Sequence, residues 1–160
     1  MRWLSILLVL AASPIQAQDP VFDPQSTEEC LATDGGPACI GIAAQACMEQ
    51  PGASTTVGMG FCIGSERDWW DARLNDVYRA LMAVEKTRDA EMADIGSSAP
   101  KAAPALKNMQ RAWITFRDAA CEYEYTQWGG GTGGGPAHAH CAMTLTATQT
   151  LALEARLEDR

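Results

Sequence analysis

The chain has 160 residues, a formal net charge of −8, 47% hydrophobic residues and six cysteines. That length supports one domain with a real core. The acidic balance excludes nucleic acid and anionic lipid as partners, because both would be repelled, and it favours a basic partner whose approach the charge would speed.

Residues 1–17 read as a secretory signal peptide. MRW supplies the positive start, LSILLVLAA the apolar run and SPIQAQ the small-residue exit. Cleavage is expected after Ala17, with Ile15 and Ala17 lining the cleavage pocket. The apolar run is too short to span a bilayer, and no later segment qualifies as a membrane span. Loss of Arg2 with the leader takes the charge from −8 to −9. The mature protein is expected in the periplasm or outside the cell. Export agrees with Cys30, Cys39, Cys47, Cys62, Cys121 and Cys141: an even count in an exported chain reads as three disulfides. Their connectivity stays open at this level.

Residues 18–29 carry two prolines and four acids and predict a flexible arm. GGP at 35–37 makes a turn. Residues 38–50 are alanine-rich and predict a short helix. PGASTTVGMG, 51–60, reads as a loop. Ser65 then caps a long helix, with Asp68 three residues on as a variant capping box. Trp70, Leu74, Val77, Leu81 and Val84 recur at steps of four and three, which carries this amphipathic helix to about Ala93. IGSSAPKAAP, 95–104, interrupts it. A second long helix is expected from about Ala105 to Trp128. GGGTGGG, 129–135, ends it and leaves the backbone unordered unless something packs there. His138–Arg160 reads as a final helix. The fold class is therefore all-α: a small disulfide-stabilised helical bundle of three main helices plus a short N-terminal helix, with residues 30–160 as one domain.

The second long helix offers two stripes. Leu106, Met109, Trp113, Phe116, Ala120 and Tyr123 repeat at three and four. Gln110, Trp113, Arg117 and Cys121 also share one face, at i, i+3, i+7 and i+11. Trp113 is the expected apolar anchor. Arg117 would pack its stem near the core, and its guanidinium then needs Asp71, Asn75 or Asp76 as partner, since an unpaired buried charge is costly.

Leu74, Asn75 and Tyr78, followed by Gln110, Trp113, Arg117, Asp118 and Cys121, form the pattern LN-x-x-Y … Q-x-x-W-x-x-x-R-D-x-x-C. This order and spacing, flanked by Cys47, Cys62 and Cys141, resembles the LprI-type domain, a family of small exported bacterial domains named for a lysozyme inhibitor. The resemblance runs from about Cys47 to Leu157. It implies Cys47–Cys62 and Cys121–Cys141 bridges, which leaves Cys30–Cys39, and it implies a binding protein that inhibits a lysozyme. In the last helix Thr146 is followed by Gln149 where such domains commonly carry an arginine. The usual Gly-Ser is Gly131-Thr132 here.

No catalytic set stands out, and no cofactor is expected. His138 and His140 form H-x-H beside Cys141, a weak alternative metal or enzyme site. Side chains two apart on a helix point away from each other, and a disulfide would remove Cys141 as a ligand. Acids are plentiful, but no carboxylate pair is singled out. The binding candidates flank the glycine run: Tyr125, Trp128 and Thr132, with Glu122 and Glu124 suited to a cationic partner. Tyr123, with Tyr125 and Trp128, also suits a sugar- or partner-binding patch, but it is assigned to the core stripe. The primary expectation is an exported binder of a protein partner, a basic lysozyme. The alternatives are a metal-binding protein or envelope enzyme using His138 and His140, and an envelope interaction domain with a different partner.

Overall fold

A computed structural model describes residues 19–160; the expected leader and its cleavage after Ala17 lie outside the described residues. The described residues form α1 (Gln25–Leu31), α2 (Ile42–Met48), α3 (Thr56–Asp94), α4 (Ala102–Thr126) and α5 (Gly134–Glu158), with a 3-10 turn at Gly36–Cys39, and contain no strand. The three long helices make an up-down-up bundle. Trp70 lies beside Thr150 and Glu85 beside Arg160, so α3 and α5 run parallel. Asp71 faces Arg117 and Asp89 faces the start of α4, so α4 runs the other way.

One continuous seam on α3 organises the core. Trp70 is fully buried among Ile63, Met143 and Ala147, and Leu74, Val77 and Leu81 pack with Leu106 and Leu153 in the next layer. Trp113 is only half-buried at the edge of that second layer. The apolar anchor is thus Trp70, not Trp113. Val84 lies at the margin, and Glu85 takes the inward position, paired with Arg160 at 2.8 Å.

The phase of α4 is set by Cys121, bridged to Cys141 with Cα atoms 5.4 Å apart. Its buried line is Ala103, Leu106, Gln110 and Cys121. Phe116 and Tyr123 are 60% and 65% exposed, which corrects their assignment to the core stripe. The reason is rotational: each residue turns a helix by about 100°, so Tyr123 points roughly 160° away from Cys121.

Helix starts also differ from expectation. Ser65 lies well inside α3. The N-cap is Thr55, whose hydroxyl accepts from the Gly58 N–H at 3.0 Å. The glycines of TVGMGFCIG weaken helix propensity, but the Cys47–Cys62 bridge and burial of Ile63 hold the segment helical, since packing outweighs propensity. The helical reading of 38–50 resolves into the 3-10 turn and α2. Within the expected arm at 18–29, α1 begins at Gln25 and buries Thr27, and Val21 exchanges two hydrogen bonds with the Gln50 side chain, at 2.9 and 2.7 Å. Cys30–Cys39 closes this cap.

A carboxylate joins the cap to the bundle. Glu66 is fully buried, and its oxygens accept from Gly41 N (2.7 Å), Ala44 N (2.6 Å) and Trp70 Nε1 (3.0 Å). Gly41 adopts φ 91°, a left-handed backbone that favours glycine, to present its N–H there. Thr27 Oγ1 adds an acceptor for Ala43 N at 3.1 Å. Between them these two side chains satisfy the N–H groups of Gly41, Ala43 and Ala44 at the start of α2. Replacing Glu66 by Ala strands three N–H donors, two of them buried. We expect a loss of about 3 kcal/mol or more in urea unfolding, whereas exposed Asp68→Ala should stay within about 0.5 kcal/mol.

The start of α4 is capped in the same way from α3. Asp89 accepts from Ala102 N at 2.7 Å and Ala103 N at 2.9 Å. Those two N–H groups, aided by Lys101 and Arg88, hold its carboxyl below the ordinary value of 3.8. A folded-state pKa lowered in this way adds stability above the unfolded value, and that stability fades as pH falls through the folded one. Asp89→Asn should therefore lower the melting temperature at pH 7. The gap to the parent chain should narrow as pH drops below 3.8. Melting curves followed by circular dichroism across that range check both.

Candidate functional site

The tip of the α4–α5 hairpin is where exposed apolar surface gathers. The chain reverses through Gly129 and Gly130, at φ 55° and 84°, and α5 begins at Gly134 rather than at His138. The glycine run is ordered because aromatics pack on it. A Cβ on Gly133 would lie 2.2 Å from the Trp128 ring, and one on Gly134 would lie 3.0 Å from the Tyr125 ring. Only hydrogen fits at Gly133.

Beside this turn, α4 and α5 enclose an open groove of about 570 Å³. Phe116, Tyr123 and Trp128 line its α4 side, Leu145 and His140 its α5 side, and Glu124 its rim. Of the residues singled out from sequence, the groove brings together Trp128 and Glu124. Tyr125 faces the loop backbone instead, while Glu122 and Thr132 are exposed and outside the lining. Phe116, Tyr123 and Leu145 were missed as groove residues. The signal for the first two was present: taking Cys121 as the buried reference on α4 turns both outward.

The motif residues occupy the opposite side of the hairpin. Leu74 is buried, Tyr78 packs against the second core layer, and Asn75 donates to Asp71 at 3.0 Å. Gln110 is buried and accepts from Gln149 Nε2 at 3.0 Å, so the glutamine standing at the arginine place ties α5 to the motif. Arg117 lies over the Trp113 ring, 5.1 Å from its centroid. Its guanidinium reaches Asp118 at 2.8 Å and Asp71 at 3.8 Å. Asp71 was among the expected partners; the adjacent Asp118 was not. With Arg67, Asp68 and His138 these groups line a polar cleft of about 280 Å³. Its arginines are already paired, which makes it a fastening between helices.

His138 lines this polar cleft and His140 the aromatic groove, on opposite sides of α5, while Cys141 is held in its bridge. Among the described residues no group of three or more His, Cys, Asp or Glu side chains is placed to hold a metal ion. The loop expected at PGASTTVGMG is half absorbed into α3. It buries Ala53 fully and leaves Val57 bare.

The tip geometry can be tested directly. Gly133→Ala must displace the Trp128 ring. Its indole N–H resonance should move in a proton–nitrogen NMR spectrum while those of Trp69, Trp70 and Trp113 hold their positions.

The chain is 37% identical over 70 residues to an uncharacterized protein of Rhizobium meliloti (strain 1021), a match covering 44% of this chain and 50% of that protein. It is 28% identical over 103 residues to an uncharacterized 17.7 kDa protein in the puhA 5' region of Rhodobacter capsulatus, covering 61% of this chain and 64% of that one. The chain thus spans 50% and 64% of the curated relatives it matches. No solved structure matches it. The family model described as lysozyme inhibitor LprI matches residues 47–153, from the bridged Cys47 through α3 and α4 to Leu153 on α5. On that span, well over half its length, the chain belongs to the LprI family.

Proposed function

We propose that this chain is an exported, periplasmic binding protein of the LprI type that inhibits a basic lysozyme by seating its hairpin tip against the enzyme. The observation that carries this reading is the aromatic groove. Phe116 and Tyr123 on α4 and Trp128 in the turn that follows it are 60%, 65% and 52% exposed, more large apolar surface than a solvated face needs. Aromatic anchors of this kind dominate protein–protein interfaces. Glu122 and Glu124 add negative charge beside them, and the chain's net charge of −8 steers a basic partner toward it. The Cys121–Cys141 bridge and the ring packing on Gly133 hold the tip in one shape, which lowers the ordering cost of binding. Three bridges with no free cysteine suit an oxidising compartment, and no described helix is long and apolar enough to cross a membrane. The proposed chemistry is occlusion: the partner's substrate cleft is blocked and no bond is made or broken.

A turbidity assay of cell-wall lysis measures this. The oxidised protein should slow a basic lysozyme at near-equimolar ratio; full lytic activity at a large molar excess rejects inhibition. Phe116→Ala and Tyr123→Ala, both at exposed positions, should each weaken inhibition by about tenfold or more. Added salt should slow association more than it speeds dissociation.

A further inference from the structure

The far end of the bundle, away from the aromatic tip, holds a second groove of about 540 Å³ between the end of α3 and the start of α4. The chain has only three lysines, Lys86, Lys101 and Lys107, and all three line it. Every ion pair among the described residues uses an arginine, so the lysine ammonium groups are not committed elsewhere. Between them the floor is apolar, built by Met82, Ala93 and Pro104. Asp89 is the one acid on the lining, and both its oxygens are engaged by backbone N–H groups of α4. Three lysines less one aspartate leave a local charge of +2 on a chain whose net charge is −8.

Solubility does not account for this arrangement, because the acidic surface already supplies it. A solvated face would also scatter its cations. Here they surround an apolar floor, and the volume falls in the range of about 300–1,000 Å³ typical of small-molecule sites. Lysine stems lie along apolar surface while their ammonium heads stay wet. The head is a compact point charge that matches a carboxylate. A bare anion would leave the floor unused, and a neutral hydrocarbon would leave the lysines unused.

We propose that this distal groove binds a small amphiphilic carboxylate, its apolar chain on Met82, Ala93 and Pro104 and its head among Lys86, Lys101 and Lys107. The site is independent of the inhibitor reading, since it shares no residue with the hairpin tip. Octanoate is the probe, titrated into the oxidised full chain and followed by amide NMR shifts. Residues 82–93 and 101–107 should respond. Octanol and acetate should each bind at least about tenfold more weakly, because each lacks one half of the match. The triple variant K86Q/K101Q/K107Q should lose at least about tenfold in octanoate affinity, while R111Q/R156Q, at exposed arginines outside the groove, should change it by less than about twofold. All three lysines are exposed, so the variant should keep the parent's melting temperature. No octanoate response, octanol binding as tightly as octanoate, or undiminished binding by the triple variant would each overturn the assignment.

Discussion

The carboxylate of Glu66 is the junction on which the rest of the molecule depends. It is fully buried and takes three N–H donors, two from the start of α2 and one from the Trp70 indole. Burying a lone carboxylate costs several kcal/mol, so the charge is tolerable only because every strong contact it makes is a charge-assisted hydrogen bond. The start of α2 contributes its free N–H groups and the positive end of its dipole. In exchange, Glu66 fixes where the N-terminal cap sits on α3 and which way the indole of Trp70 is turned. The Cys47–Cys62 bridge holds the same two helices a turn away.

From that junction the phases of the long helices follow in order. Glu66, Trp70, Leu74, Val77 and Leu81 form one inward line on α3. α5 answers with Met143, Ala147, Thr150 and Leu153, small enough in the middle for the Thr150 hydroxyl to come within 3.3 Å of the Trp70 carbonyl. α4 then has little choice of rotation. Cys121 is tied to Cys141, and Gln110 meets Gln149. With those two points inside, Phe116, Tyr123 and Trp128 face out. The exposed aromatic surface is thus a consequence of how the core closes, and the polar Arg117–Asp71–Asp118 fastening occupies the other flank of the same hairpin.

Charge is distributed along the bundle with similar economy. Arginine ion pairs run between helices, as Arg73 with Glu154 at 2.6 Å, along one, as Arg88 with Glu85 at 3.7 Å, or from the C-terminal residue, as Arg160 with Glu85 at 2.8 Å. Acids outnumber these partners, which leaves the surface negative. The lysines are absent from this pattern and gather at one end. The two ends of the rod therefore differ in kind: one is aromatic with acids beside it, the other basic with a shallow apolar floor.

Read from the sequence alone, the helical class, the three long helices and the expectation of three disulfides are legible, because periodicity and cysteine count are local properties of the chain. The LN-x-x-Y and Q-x-x-W-x-x-x-R-D-x-x-C pattern pointed to the family for the same reason, and the stripe it shares pointed to Arg117 seeking Asp71, Asn75 or Asp76. Other features depend on neighbours far apart in sequence. Two stripes on α4 overlap at Trp113, and nothing within the helix chooses between them; the bridge to Cys141 does. Ser65 resembles a cap as well as Thr55 does, until packing extends α3 backward past it. Glu66 looks like one more solvated acid until the amides of Gly41 and Ala44, more than twenty residues earlier, arrive to hold it. The groove at the tip was half legible, through Trp128 and Glu124. The rest of it exists only where α5 comes alongside α4, since a surface made by two helices has no signature in either one.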